Sequence, residues 1–200
     1  MHEHDFEWND IYTGTAADYM EADAELLEII ETIHPGTALD IGCGSGGLVA
    51  AMAEKGWEVT GIDIAPKAVE AARKVLEARG LQASFAVANA AEWNPNQQFD
   101  LITNSFALPA TEDEQSALFQ TIRDSLKPGG TVLIKDFDAE MQKREEFSRF
   151  HCPTIEELAK AFEGYEVLRA EVKQTAHDHG HRGENDAAES TAALFWGRKV

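Results

Sequence analysis

Basic residues are scarce in this chain: 17 lysines and arginines stand against 36 aspartates and glutamates in 200 residues, a formal net charge of −19. Such a surface repels phosphate backbones and anionic headgroups, and no run of Lys or Arg marks a local exception. Neither nucleic acid nor a membrane surface is therefore an expected partner. Long apolar runs are missing too. Nothing approaches the ~20 consecutive apolar residues that cross a bilayer, and the opening MHEHDFEWND lacks the basic and apolar regions of a secretory signal. Cysteine is limited to Cys43 and Cys152, which give no disulfide framework. These absences predict a cytoplasmic protein. What remains is ordinary: a hydrophobic share of 44% suits a globular core. A chain of this length buries roughly 70% of its unfolded surface without a disulfide or metal.

Along the chain, 18–33 reads as an amphipathic helix, ended by Pro35-Gly36. Strands and helices then alternate. Strands are predicted at 37–41, 58–62, 82–87, 99–104 and 131–135, with helices at 47–55, 66–79 and 112–126 between them. Pro66 opens one helix and Gly80 closes it. A last helix at 154–162 and strands at 165–173 and 190–199 follow, with a polar stretch, 174–189, read as an exposed loop. Alternation implies an α/β fold: a doubly wound, mostly parallel seven-stranded sheet. The last two strands, joined without a helix, imply an antiparallel C-terminal edge hairpin. One domain is expected, with an N-terminal lid or helix (1–36), a ligand-binding core (37–136) and a C-terminal helix and hairpin (137–200).

The richest motif is the loop Asp40-Ile41-Gly42-Cys43-Gly44-Ser45-Gly46-Gly47, between the first strand and its crossover helix. That is where a doubly wound sheet opens a crevice for a nucleotide. Glycines there let the backbone turn tightly and approach a ligand. Gly42, Gly44 and Gly47 also satisfy the dinucleotide pattern GxGxxG, a weak signal alone. Asp40 separates the ligands. A carboxylate at that point repels a pyrophosphate and suits a cationic amino group, such as that of S-adenosylmethionine. Asp63, ending the second strand, suits ribose hydroxyls in either type of site.

Five segments in order, LDIGCGSG, VTGIDIA, FAVANAAEW, FDLITNSFAL and LKPGGTVLI, resemble the class I S-adenosylmethionine-dependent methyltransferases over about residues 37–136. The resemblance implies S-adenosyl-L-methionine as methyl donor. It places Gly42, Cys43, Gly44 and Gly46 around the methionine part, with Asp40 near the amino group. Asp63 then holds the ribose, Ile64 packs on the adenine, and Asn89 with Ala90 faces the adenine edge. Asn89 stands where the family usually has aspartate, and its amide oxygen accepts the same hydrogen bond uncharged. Asn104-Ser105-Phe106 falls at the border between donor and acceptor. No Asn-Pro-Pro-aromatic signature occurs there, which disfavours nucleic-acid and protein N-methylation. The acceptor is therefore expected to be a small-molecule nucleophile at sulfur, oxygen, nitrogen or a heavier chalcogen.

Several residues carry two readings. Phe106 is either a core aromatic or a substrate contact. Glu7-Trp8-Asn9-Asp10-Ile11-Tyr12 resembles the Trp-x-x-x-Tyr opening of small tellurite- and thiopurine-type methyltransferases. Trp8, Tyr12 and Tyr19 would then form a lid, or else an aromatic anchor for the first helix. Cys43 reads as space-filling, and His151-Cys152 as a loop-to-helix junction. His177, His179 and His181 alternate, so that a metal site, a solvated hairpin and pocket histidines all stay open. No catalytic base is singled out; His34, His151 and the C-terminal histidines are candidates. Two other function classes compete: an NAD-dependent oxidoreductase, and a non-catalytic protein that binds donor or metal.

Overall fold

In the computed structural model, residues 8, 22–175 and 190–200 are described. The elements are α1 (Ala24–Ile30), β1 (Thr37–Ile41), α2 (Gly47–Glu54), β2 (Glu58–Asp63), α3 (Pro66–Ala78), β3 (Ser84–Val87), β4 (Phe99–Ser105), α4 (Glu112–Ser125), β5 (Leu126–Phe137), α5 (Ile155–Ala161), β6 (Tyr165–Thr175) and β7 (Ser190–Lys199). Two short 3-10 turns, Met141–Lys143 and Glu145–Phe147, lie between β5 and α5. The strands form one sheet in the order β3-β2-β1-β4-β5-β7-β6. Pairs among the first five strands are parallel. β7 is antiparallel to both β5 and β6.

Period-two alternation builds the two cores. Leu101, Leu133 and Leu194 point to one face and pack with Leu26, Ile30 and Met52. Their neighbours Ile102, Ile134 and Phe195 point to the other, against Leu118, Ile122 and Phe162. Helix faces match this. In α3, Ala68, Val69, Ala72 and Leu76 are buried at three- and four-residue spacing, beneath a polar outer face. Capping boxes begin α4, through Thr111 and Glu114, and α5, through Thr154 and Glu157.

The doubly wound, mostly parallel seven-stranded sheet and its C-terminal hairpin follow the sequence reading, with three differences. Asp23 caps α1 through hydrogen bonds from the N–H groups of Glu25 and Leu26, so that helix starts at Ala24. β5 begins at Leu126, which pairs with Phe99 before a register shift resumes at Leu101 and Thr131. The expected antiparallel hairpin ends the sheet, with β6 outermost and β7 between β5 and β6. Gln174 and Thr175, read as loop, pair with Thr191 and Ser190 in β6; residues 176–189 lie outside the described part. No helix of the described residues is long and apolar enough to cross a membrane.

The N-terminal helix is tied to the sheet by charge as well as packing. Lys135 Nζ, with its side chain 9% exposed, pairs with Asp23 at 2.7 Å and Glu25 at 3.1 Å. Glu25 also meets Lys173 at 2.9 Å and pairs with Arg169. Burial raises the Glu25 pKa, but hydrogen bonds from Lys173 and Lys135 outweigh it and hold the group at about 2. Lys135→Met is expected to destabilise the fold by about 3 kcal/mol, because the largely buried Asp23 carboxylate loses its counter-ion. Urea unfolding at neutral pH measures it, and Asp23→Asn in the same chain should restore part of the loss.

Candidate functional site

β1 pairs with β2 on one side and β4 on the other, so connections leave in opposite directions at its carboxyl end. A cavity of about 300 Å³ opens there. Its floor is the glycine loop. The N–H groups of Gly42 and Cys43 both donate to Ile62 O, at 2.8 and 2.9 Å, and that of Gly44 donates to Asp63 Oδ2 at 2.9 Å. Three consecutive loop amides are thus committed within the protein. Gly42 adopts φ +70°, and a Cβ there would stand 2.1 Å from Ala107 Cβ, so its bareness lets the loop after β4 close against it. Gly42→Ala is expected to cost about 2 kcal/mol or more in denaturant unfolding, through the strained backbone and the clash together.

Two carboxylates sit at the strand ends. Asp40 is 3% exposed, and its Oδ1 accepts the Thr103 hydroxyl at 2.6 Å. Burial first, and then the Asp63 charge, raise its pKa, against the Thr103 hydrogen bond, to about 7. Asp63 Oδ1 accepts from Ala65 N at 2.9 Å. Burial lifts its pKa as well, opposed by the N–H groups of Ala65, Gly44 and Ile64. Neither carboxylate pairs with a basic side chain among the described residues.

The far side of the cavity is the segment after β4. Phe106 has φ +52°, a strained value for a side chain with Cβ, and its ring lies 4.9 Å from that of Phe137. Asp136 holds this turn: its Oδ2 accepts from Leu108 N at 2.9 Å and its Oδ1 from Phe137 N at 2.7 Å. Burial pushes its pKa to about 7 despite those donors and that of Ala107. Leu108, Pro109, Ala110 and Phe150 complete an apolar wall, with Glu114 beside it.

The structure brings together on the cavity wall Trp8, Asp40, Gly42, Cys43, Gly44, Asp63, Ile64, Asn89, Ala90 and Phe106. Phe106 both lines the cavity and packs on Phe137. Asn89 Oδ1 already accepts from Ala91 N at 3.1 Å, which leaves one lone pair on that oxygen. Two predicted contacts are absent from the wall. Gly46 packs instead on α3, where a Cβ would lie 2.9 Å from Ala72 Cβ. Asn104 is wholly buried, and its Nδ2 donates to Ile41 O at 3.4 Å. Tyr12, Tyr19, His177, His179 and His181 lie outside the described residues. Among those described, no cluster of three or more His, Cys, Asp or Glu is placed to hold a metal.

Cys43 fills space beside Gly61 and is buried, which carries its thiol pKa well above the ordinary value. His151 and Cys152 do stand at the junction before α5, with His151 Nε2 3.7 Å from Glu157 and its carbonyl accepting from Gln115 Nε2 at 2.6 Å. Sequence reasoning missed Asp23, Leu48 and the 107–110 wall. Position alone marks the last group, since it follows a strand at the crevice edge. Asp23 carries no such local signal.

Residues 38–130 match the methyltransferase-domain family. The chain is 33% identical over 132 residues to trans-aconitate 2-methyltransferase of Methylobacterium radiotolerans, covering 64% of this chain and 49% of that one. It is 38% identical over 99 residues to ubiquinone biosynthesis O-methyltransferase of an Azoarcus species, covering 48% and 42%. The chain thus spans about half the length of these curated relatives or less. Among solved structures, the N-methyltransferase NodS of Bradyrhizobium japonicum, in complex with S-adenosyl-L-homocysteine, superposes with a TM-score of 0.75 over 97% of both chains, at 16% identity. That likeness bears on the fold. Residues 38–130 are thus similar to methyltransferase domains, and the chain as a whole shares the fold of the superposed structure.

Proposed function

We propose that this protein transfers a methyl group from S-adenosylmethionine to a small-molecule nucleophile. One observation carries the reading: the glycine-loop amides are spent on Ile62 and Asp63 while two unpaired carboxylates face the cavity. A dinucleotide needs free amides and tolerates no buried carboxylate near its pyrophosphate. A ligand with an amino group, a sulfonium and a ribose has the opposite needs. The bare loop and the cavity of about 300 Å³ fit such a ligand. Asp40 would meet its amino group and Asp63 its ribose hydroxyls, while Ile64 and Asn89 would bound the adenine.

When bound, the donor supplies an electrophilic methyl on a positive sulfur, which leaves as a neutral thioether. The protein's own residues have three tasks. Asp40 and Asp63 anchor the two ends of the donor. The Phe106–Ala110 wall brings the acceptor toward the methyl in line, which supplies much of the acceleration. The apolar wall excludes water. The two relatives' names point to unlike acceptors, so neither name chooses one for this chain. The tellurite- and thiopurine-type resemblance rests on Tyr12 and Tyr19 beside Trp8, and only Trp8 falls among the described residues.

Formation of S-adenosylhomocysteine from labelled donor, across thiols, amines, phenols and selenite, tests the proposal. Acceptor-dependent product is expected with at least one class. Tight binding of S-adenosylhomocysteine without turnover of any class would favour a non-catalytic donor-binding protein.

A further inference from the structure

β6 ends the sheet, and among the described residues no strand pairs with its outer side. It is 11 residues long, against four for β3 at the opposite edge. An edge of that length can template another strand unless something blunts it. Net charge does not blunt this one. In a chain of net charge −19, β6 holds two acids, Glu166 and Glu171, and two bases, Arg169 and Lys173. Val167 and Val172, 48% and 44% exposed, also lie on it.

A bulge in β6 decides which side chains share a face. Val167 stands opposite Gly197 and Arg169 opposite Trp196, so Leu168 is the extra residue. Val167, Ala170 and Val172 therefore share one face, opposite Gly197, Phe195 and Ala193 of β7. Glu166, Arg169, Glu171 and Lys173 share the other, where Arg169 and Lys173 also meet Glu25.

That pattern is complementary to itself. Consider a second β6 set antiparallel to the first, with a two-fold axis through Ala170. Each Val172 then opposes Val167 of the other copy, each Glu171 opposes Arg169, and each Lys173 opposes Glu166. Every one of these pairs occurs twice. Moving the axis by one residue opposes like charges: Arg169 to itself and Glu171 to Glu166, or Glu171 to itself and Lys173 to Arg169. Axes farther out pair fewer residues. The axis through Ala170 gives the longest match, from Tyr165 to Gln174.

We infer that this chain forms a homodimer by antiparallel pairing of β6 with β6, which continues the sheet through both copies. The inference does not depend on the methyltransferase reading. β6 lies four strands from β1, about 19 Å at the usual spacing, so each cavity stays whole within its own copy.

Sedimentation equilibrium of the full chain tests it, in about 0.15 M salt so that repulsion between two acidic copies is screened. At about 100 µM the expected mass is twice the chain's 22.0 kDa. Val172→Lys, at an exposed position, should raise the dissociation constant about tenfold or more, since two valine pairs are lost at once. Glu166→Lys and Lys173→Glu should each weaken the dimer by opposing like charges. Mixed in equal amounts they should restore it, because each like-charge pair becomes an opposite one across the two variants. A monomer at about 100 µM overturns the inference. So does a dimer that Val172→Lys leaves unchanged, which would put the contact on another face. A mixture of the two charge variants that associates no more tightly than either alone overturns it as well.

Discussion

Asp63→Ala is expected to weaken S-adenosylmethionine binding by about a hundredfold or more, the largest single effect in this protein. Two losses combine. The side chain would accept both ribose hydroxyls, and hydrogen bonds to a charged acceptor are each worth about 1.5–3 kcal/mol. It also receives Gly44 N and Ala65 N, both at 2.9 Å, and so fixes the loop that floors the cavity. Alanine leaves those two donors without partners, which adds a stability cost of about 1–3 kcal/mol. The two consequences separate experimentally. Calorimetry at a temperature where the variant stays folded reports binding, and urea unfolding reports stability. A variant that loses stability yet keeps its donor affinity would confine Asp63 to holding the loop.

Asp40→Asn is expected to move stability and binding in opposite directions. Asp40 is buried, and its folded pKa of about 7 lies above the ordinary carboxylate value of 3.8. Between those values the folded state holds a proton that the unfolded state has released. Stability from this group is therefore complete below pH 3.8, declines as pH rises toward 7, and is flat above. The span of roughly three units corresponds to about 4 kcal/mol. Asparagine keeps an oxygen for the Thr103 hydroxyl and removes the charge. The variant should therefore gain about 2 kcal/mol at pH 8 and show little change at pH 5. Donor affinity should fall about tenfold at pH 8, because the amino group loses its counter-charge. In the parent protein, affinity should rise with pH up to about 7, as Asp40 ionises. That rise should flatten in the variant. Urea midpoints and calorimetric titrations at the two pH values measure all three effects. Destabilisation at pH 8 would show that the Asp40 charge is favourable where it sits.

The parallel half of the sheet was legible because its signals are local. Strand-to-helix alternation, Pro66 and Gly80 around α3, and glycines after β1 each act within a few residues. Asp40 and Asp63 were legible for the same reason, since each ends a strand at the crevice. What escaped depends on distant partners. Asp23 caps a helix and meets Lys135, 112 residues away, and nothing near it in sequence marks that encounter. The 107–110 wall takes its shape from Asp136, whose oxygens gather the N–H groups of a segment nearly 30 residues earlier. Among the loop glycines, spacing does not tell which faces the cavity. Gly46 faces Ala72, whereas Gly47 lines the wall. The resemblance set Asn104 at the border between donor and acceptor, but β4 is central, and its side chain is enclosed against β1.

Calorimetric titration of the protein with S-adenosylmethionine and, separately, with NAD at pH 7.5 decides between the two ligands that a glycine loop and a strand-end acid can serve. Saturable one-to-one binding of S-adenosylmethionine, with none for NAD, is the result expected from the committed loop amides and the two cavity carboxylates. Saturable binding of NAD with none of S-adenosylmethionine would contradict it, and would mean that the loop rearranges to free its amides for a pyrophosphate.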